Sequence, residues 1–257
     1  MKNKLVSRSA RRALLLAVLA LGSVQAGATQ LIQNGGFEDD GFAAQPIYNP
    51  TAWSVAESFG IGGVAIDSAL TSHASSWAAA GPASGNNYAS IDAYSLGAYT
   101  LSQSFSTSAL SKATLSFQMY VNDQSANGNA HVGSDLNYEN SADLYYARVD
   151  ILKTGTDSFA TGSDVVKSLY IGGATGRKYN TESNAYLNYA FDLSNVLASG
   201  GNYTLRFAVA NNTVSQMQMG IDNVSLQVTA VPEPESYALM LAGLGLIGVA
   251  ARRRTRR

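Results

Sequence analysis

Thr114-Leu115-Ser116-Phe117-Gln118-Met119-Tyr120 decides the fold, because apolar and polar side chains alternate along it. In an extended strand, successive side chains point to opposite faces of the sheet. The alternation therefore predicts a β-strand with Leu115, Phe117 and Met119 on a buried face. The residues between them, together with Tyr120, are predicted to face outward, as in a sheet that is covered on one side.

The same alternation recurs in Tyr203–Val209, which follows a Ser-Gly-Gly-Asn turn at 199–202. Elsewhere, short segments rich in β-branched and aromatic residues are separated by Gly, Asn, Ser and Asp clusters, without a sustained helical period. Ten strands are predicted on this basis: 52–55, 63–67, 88–92, 99–105, 113–121, 144–152, 165–171, 187–191, 203–210 and 220–228. Such a pattern predicts an all-β fold, a two-sheet antiparallel jelly-roll sandwich over residues 29–228.

The N-terminus has the features of a secretory signal peptide. Five basic residues within 2–12 precede the apolar run 13–21, which ends in small residues. Residues 1–28 are therefore predicted to direct export through the Sec machinery and to be removed. Cleavage after Ala26 and cleavage after Ala28 both satisfy the small-residue pattern, so two mature N-termini remain open.

Charge and cysteine content limit the classes of function. Ten of the 17 basic residues lie within 1–12 and 252–257, whereas 16 of the 18 acidic residues lie within the body, residues 29–231. The body thus holds seven basic and 16 acidic residues, a net charge of −9, which argues against nucleic acid as a partner. Because cysteine is absent, disulfides and thiolate zinc sites are excluded.

The C-terminus combines a proline-rich box with an apolar segment. Residues 229–235 form a linker that contains Pro232, Glu233 and Pro234, and the prolines keep this box out of a helix. Residues 236–251 are almost all apolar. As a helix they would extend about 24 Å, which predicts a single transmembrane helix whose ends snorkel to the interface.

An arginine-rich cytoplasmic tail, residues 252–257, is predicted to follow the apolar segment. Arg252, Arg253 and Arg254 are expected to stop membrane transfer. The order of box, apolar helix and arginines in VPEPESYALMLAGLGLIGVAARRR resembles the PEP-CTERM sorting signal. The resemblance implies an exosortase as processing partner, a transient inner-membrane intermediate, and delivery to the cell envelope or extracellular matrix of a Gram-negative bacterium. It also implies an association with exopolysaccharide and biofilm formation.

Two motifs near the ends of the body resemble the galactose-binding-like jelly rolls of carbohydrate-binding modules. They are Asn-Gly-Gly-Phe-Glu at 34–38 and Gly-Ile-Asp-Asn-Val-Ser-Leu at 220–226. The resemblance implies that the first and last strands pair, and that Glu38 and Asp222 bind a structural calcium ion. Calcium takes oxygen ligands, and a domain without cysteine would gain stability from it. The alternative is that Asp222 only accepts hydrogen bonds from backbone amides at a sheet edge.

The sequence contains no recognisable catalytic constellation. His73 and His131 lie in Ser/Ala-rich and Gly/Asn-rich segments without paired-ligand spacing, and they are interpreted as loop residues. No nucleophile-elbow motif is present, and no pair of carboxylates stands out as a glycosidase pair. The chain is therefore predicted not to be an enzyme, with glycan degradation as the least favoured alternative.

Aromatic side chains offer a route to sugar binding, since flat rings stack on pyranose faces. Trp53 is assigned to the core. The candidate glycan contacts are Trp77, Tyr94, Tyr99, Tyr145 and Tyr146. The function expected from the sequence is a non-catalytic exported protein of the envelope or matrix, associated with exopolysaccharide, and the alternative is a lectin-like binding module.

Overall fold

The computed structural model describes residues 27–255 except for 59, 61, 124–131, 133–135, 137–138, 140–143, 174–180, 213–215 and 232–233. Most of the predicted signal peptide, together with His131, Pro232 and Glu233, therefore lies outside the described residues. Thr29–Val228 forms one compact unit, and Thr229–Arg257 belongs to a second.

The described residues contain eleven strands and two α-helices. The strands are β1 Thr29–Gln30, β2 Ser54–Glu57, β3 Gly63–Asp67, β4 Tyr88–Ala93, β5 Gly97–Thr107, β6 Leu110–Asp123, β7 Tyr145–Lys153, β8 Val165–Gly172, β9 Leu187–Asp192, β10 Gly201–Asn211 and β11 Met217–Ala230. The helices are α1 Ser194–Leu197 and α2 Pro234–Thr255, and a 3₁₀ turn spans Gly162–Asp164. All ten strands predicted from the sequence are present, and the two-residue strand β1 was not predicted.

Two antiparallel sheets form the sandwich. The first sheet has the strand order β3-β4-β11-β6-β9, with β1 also paired to β11, and the second has the order β2-β5-β10-β7-β8. Strands β4 to β7 alternate between the sheets, as do β9 to β11, so that successive connections cross from one sheet to the other. The predicted all-β sandwich of two antiparallel sheets is confirmed.

Core side chains come from the inward faces of both sheets. Leu115, Phe117 and Met119 are buried, as their alternation predicts. Phe117 meets Phe207 of the second sheet edge-on, with 5.1 Å between the ring centroids. Trp53 is also buried in this core, as predicted. Aromatic contacts across the sandwich therefore join the two sheets.

Tyr120 departs from the predicted pattern. Its side chain points away from the main core, yet only 2% of it is exposed, because it packs against Tyr88 and Tyr186 on the outer face of the first sheet. Gly220 makes room for its ring, since a Cβ atom at that position would lie 1.9 Å from Tyr120 Cε1. The predicted direction was right, but the predicted exposure was wrong because residues 79–80 cover the ring.

Helix α2 contains the segment predicted to cross the membrane. Among the helices within the described residues, none combines the length and apolar character that a membrane span needs. The predicted transmembrane helix at 236–251 is therefore not shown.

A buried ionic cluster lies on the outer face of the second sheet. Asp150 of β7 accepts hydrogen bonds from Arg148 at 2.6 and 2.8 Å and from Arg206 of β10 at 2.5 Å. The side chains of Asp150 and Arg206 are fully buried, and that of Arg148 is 6% exposed. Arg206 also donates to the carbonyl groups of Ser158 and Ala160. The cluster thus holds the turn that contains these two residues against the sheet.

Candidate functional site

A loop covers the outer face of the first sheet and creates a polar site around Asp92. The loop, residues 68–87, connects β3 to β4. Asp92 is the fifth residue of β4, and its Oδ2 atom accepts hydrogen bonds from the hydroxyls of Ser72 and Ser75 and from the Ser75 backbone N–H at 3.1 Å. One oxygen of this buried carboxylate therefore fixes the loop, while the other remains available.

A small recess adjoins the free oxygen of Asp92. Its volume is about 10 Å³, and Gln216, Gln218 and Asn122 contribute to its wall. Gln218 pairs with Asp92 in the β4–β11 register. Within the described residues, Asp92 Oδ1, Gln216 Oε1 and Gln218 Nε2 are buried without a hydrogen-bond partner. Buried polar atoms without partners are rare and costly. Two acceptors and one donor of this kind belong to residues that line a space large enough for a water molecule or a hydroxyl group.

Two aromatic side chains lie beside the recess. Trp77 lines it and is half-buried, and Tyr94 is 38% exposed. Their rings meet edge-on with 6.3 Å between the centroids. Of the five aromatic residues predicted to contact glycans, these two are brought together, and they lie next to polar groups that could bind hydroxyls.

The other three predicted glycan contacts are buried. Tyr99, Tyr145 and Tyr146 are 2%, 5% and 0% exposed. Tyr99 and Tyr145 belong to the core between the sheets, and Tyr146 packs in a smaller cluster with Leu136 and other apolar residues. The prediction that these tyrosines lie at a ligand surface is therefore wrong, because they occupy central strands that are covered on both faces.

His73 lies in the loop above the same sheet, as predicted, but it is not a freely solvated loop residue. Both of its ring nitrogens are buried without a hydrogen-bond partner within the described residues. Burial lowers the pKa of His73, against the opposing effect of Asp92, Asp67 and Glu57. The imidazole is therefore neutral at neutral pH, and it adds further unpaired polar atoms near Asp92.

The two predicted calcium ligands lie on either side of one short loop segment. Glu38 Oε1 accepts hydrogen bonds from the backbone N–H groups of Asn86 and Asn87 at 2.8 and 2.9 Å. Asp222 Oδ2 accepts from the N–H groups of Ala83 and Ser84 at 2.9 and 3.0 Å. The structure thus brings the two carboxylates to the same loop, and it shows Asp222 binding backbone amides.

The electrostatics of Asp222 reflect its burial. Desolvation raises the pKa of Asp222 to about 6, and the negative charge of Glu38 adds to this effect. Carboxylate oxygens are donors that calcium accepts, so the donor chemistry fits the ion. Within the described residues, however, no group of three or more histidine, aspartate or glutamate side chains could hold a metal ion. The calcium site stays a prediction.

The two end motifs meet, as their resemblance to galactose-binding-like jelly rolls implies. Strand β1 pairs with β11 through Thr29 with Val228 and Gln30 with Gln227. Val224 N donates to Gly35 O at 2.8 Å. Because of these bonds, the segment that contains Glu38 lies against the strand that contains Asp222.

The sorting residues occupy the end of the chain. Pro234 is the first residue of α2, and Arg252, Arg253 and Arg254 lie in its last turn. Arg252 and Arg253 are exposed. Residues 230–254 match the PEP-CTERM protein-sorting motif. The fold and this motif define a secreted β-sandwich protein with a C-terminal sorting signal. An exosortase is its processing partner, and its destination is the cell envelope or the outside of the cell.

Solved structures share the fold at low sequence identity, and no curated protein sequence matches the chain. A Stig cyclase from Fischerella sp. TAU is 16% identical, with 80% of this chain and 100% of the cyclase covered and a TM-score of 0.46. TmCBM61, in complex with beta-1,4-galactotriose, is 13% identical over 77% of this chain and 97% of its own, with a TM-score of 0.44. The K3 cleaved adhesin domain of Lys-gingipain from Porphyromonas gingivalis w83 is 16% identical over 78% and 99%, with a TM-score of 0.43.

The cyclase corrects one prediction from the sequence. The chain was expected not to be an enzyme, and this expectation is contradicted because cyclases are among the proteins of similar fold. Identities of 14–16% to these cyclases limit the likeness to the fold, and a shared fold assigns no reaction.

Proposed function

We propose that the protein is exported through the Sec machinery, held at the inner membrane by its C-terminal segment, and cut by an exosortase. The mature sandwich then stays at the cell envelope or in the extracellular matrix, in association with exopolysaccharide and biofilm. The sorting motif at residues 230–254 carries this proposal. The basic residues at both ends of the sequence support it, since they suit retention on the cytoplasmic side.

Tail removal is the first expected result. Protein recovered from the medium or envelope of a host with an exosortase should have lost the arginine-rich C-terminus, as measured by intact mass. A variant with Pro232→Ala and Pro234→Ala should keep it, because both prolines of the sorting box would be lost while the helix and the arginines remain. Exported wild-type protein with a complete C-terminus would contradict the proposal.

The recess beside Trp77 supports a second function, the binding of polysaccharide. Two unpaired acceptors, Asp92 Oδ1 and Gln216 Oε1, and one unpaired donor, Gln218 Nε2, belong to residues that line a space large enough for a hydroxyl group. A sugar ring that stacks on Trp77 could place hydroxyls there, and the hydrogen bonds would remove the cost of leaving these atoms unpaired.

Loss of polysaccharide retention is expected when this recess is altered. Trp77→Ala should lower retention of the domain on polysaccharide isolated from the host culture by tenfold or more, about 1.4 kcal/mol. Gln216→Met should lower retention while leaving the melting temperature unchanged or raised, because it removes an unpaired buried acceptor without creating a cavity. Phe42→Ala is the matched control, since Phe42 is 68% exposed on another loop. Equal retention of all four proteins would contradict the proposal.

A structural calcium ion at Glu38 and Asp222 is also proposed. Two like charges that lie beside one loop would be relieved by a cation, and the ion would stabilise the fold by mass action. The melting temperature of the wild type at pH 7.5 should rise by several degrees in millimolar calcium and fall with chelator. The melting temperature of Asp222→Asn should respond to neither. If the wild-type melting curves with calcium and with chelator superimpose, the calcium proposal is wrong. The two carboxylates would then only accept hydrogen bonds from backbone amides.

The pH dependence of stability distinguishes the site without calcium from the site with calcium bound. Without an ion, the pKa of Asp222 is about 6 against an ordinary value of 3.8. The folded protein then binds the proton more tightly, so stability is gained as pH falls through about 6 and is complete below 3.8. With calcium bound, the ionised carboxylate is required, and the stabilisation by the ion should instead fade as pH falls.

A further inference from the structure

The sorting motif begins where the last strand of the sandwich ends. Strand β11 runs to Ala230, which is also the first residue of the matched motif. A single residue, Val231, separates this strand from Pro232. The two residues from Ala230 to Pro232 can extend at most about 7 Å. The box is therefore attached to the folded body without a spacer.

A peptidase that holds this box must also contact the sandwich. A folded domain of about 100 residues has a radius of gyration of about 13 Å, which exceeds the reach of the connection. The enzyme surface around its cleft therefore meets the end of the sandwich at which β11 finishes. That end also holds β1, whose Gln30 pairs with Gln227, about 10 Å along the strand from Ala230.

An open groove of about 410 Å³ lies beside β1 at this end. Its polar wall consists of Gln30, Gln33, Ser104, Ser106, Thr154 and Asn202. None of the described residues that line it is charged, although the body between the basic ends carries a net charge of −9.

The groove is also held in shape by internal hydrogen bonds. Gln30 Oε1 accepts from Leu226 N at 2.7 Å, and its Nε2 donates to Ser225 at 2.8 Å. Ser106 donates to Asn202 Oδ1 at 2.6 Å. A fixed surface of this kind costs little entropy when a partner binds.

We propose that this groove is a docking surface for the processing enzyme, which would recognise the end of the folded domain together with the Pro-Glu-Pro box. The inference rests on the proposed function, because it needs exosortase processing to occur. The partner surface expected is uncharged and rich in hydrogen-bonding groups, since a charged surface would lose hydration here without gaining an ion pair. Recognition of the domain would favour chains that have already folded.

The test introduces a bulky charge into the groove. Ser106→Arg and Thr154→Arg should each slow tail removal about tenfold in a pulse-chase in the exosortase-bearing host, because both residues are exposed on the groove wall. Ser95→Arg, between β4 and β5 and thus beyond the opposite end of β5, is the matched control and should be processed as the wild type. Equal melting temperatures of the purified domains would confirm that all variants are folded.

A linker variant makes the test stricter. Ten Gly and Ser residues inserted between Ala230 and Val231 would move the box away by about 18 Å on average. Processing should become slower, and Ser106→Arg should have no further effect in that background. Wild-type rates for both groove variants, or faster processing with the linker, would overturn the inference. An uncut wild-type tail would instead overturn the proposed function, and the inference with it.

Discussion

Replacing Asp150 with alanine is expected to destabilise the sandwich by about 3–5 kcal/mol, as measured by chemical denaturation of the purified domain. Asp150 is fully buried and binds both Arg148 and Arg206. Without it, two guanidinium groups would remain inside the protein with no opposite charge in their cluster, and burial of such an unpaired charge is costly. The turn fixed by Arg206 through the carbonyls of Ser158 and Ala160 would also lose its support.

Two further variants show whether the charge or the packing is responsible. The triple variant Arg148→Met, Asp150→Leu and Arg206→Met removes every charge and keeps similar volume, so its stability should be close to that of the wild type or higher. Asp39→Ala removes an exposed carboxylate and should change stability by no more than about 0.5 kcal/mol. If Asp150→Ala proved as mild as Asp39→Ala, the cluster would not be a coupled buried unit.

This cluster also shows a property that the sequence pattern could not predict, the burial of an outward-facing side chain. The alternation in Tyr203–Val209 correctly gives the inward face, and it therefore assigns Arg206 to the outward face. Outward residues of a sheet are usually solvated. Arg206 is instead fully buried, because a turn distant in sequence covers it. Alternation reports the face of a sheet and carries no information about what packs on that face.

The candidate site was likewise predicted only in part. The pairing of the two end motifs was expected only from their resemblance to galactose-binding-like jelly rolls, and the structure joins them through Val224 and Gly35. The recess at Asp92 was missed, since Gln216 and Gln218 simply continue the polar face of β11. Only the fold places these residues beside Trp77, whose sequence neighbours are serine and alanine.

Three of the five aromatic predictions failed for a related reason. Composition identifies rings that could stack on sugars, but strand position decides whether they are accessible. Tyr99 and Tyr146 lie in β5 and β7, which flank β10 in the middle of the second sheet, and both are buried. Trp77 and Tyr94 lie in connections outside the strands and reach the surface. Loops on a rigid scaffold are where binding residues tend to occur.

A second large effect is expected at the junction of the two end motifs, where Gly35→Ala should cost about 3 kcal/mol, the upper end of what overpacking usually costs. A Cβ atom on Gly35 would lie 1.9 Å from Val224 O and 2.9 Å from Val224 C. Both are backbone atoms, so no side-chain rotation can relieve the overlap. The hydrogen bond from Val224 N to Gly35 O would have to break or the last strand would have to shift.

Gly36 provides the matched control because it is the adjacent glycine of the same motif. A Cβ atom there would meet only Glu38 Cγ at 4.0 Å, an ordinary contact distance. Gly36→Ala should therefore be neutral or stabilise the fold by about 0.4–1 kcal/mol, since alanine restricts the unfolded chain. The difference between the two variants in denaturant midpoint then measures the close approach itself. Equal midpoints would mean that contact with Val224 is not the reason for glycine at position 35, and that the junction of the motifs can adjust to a side chain.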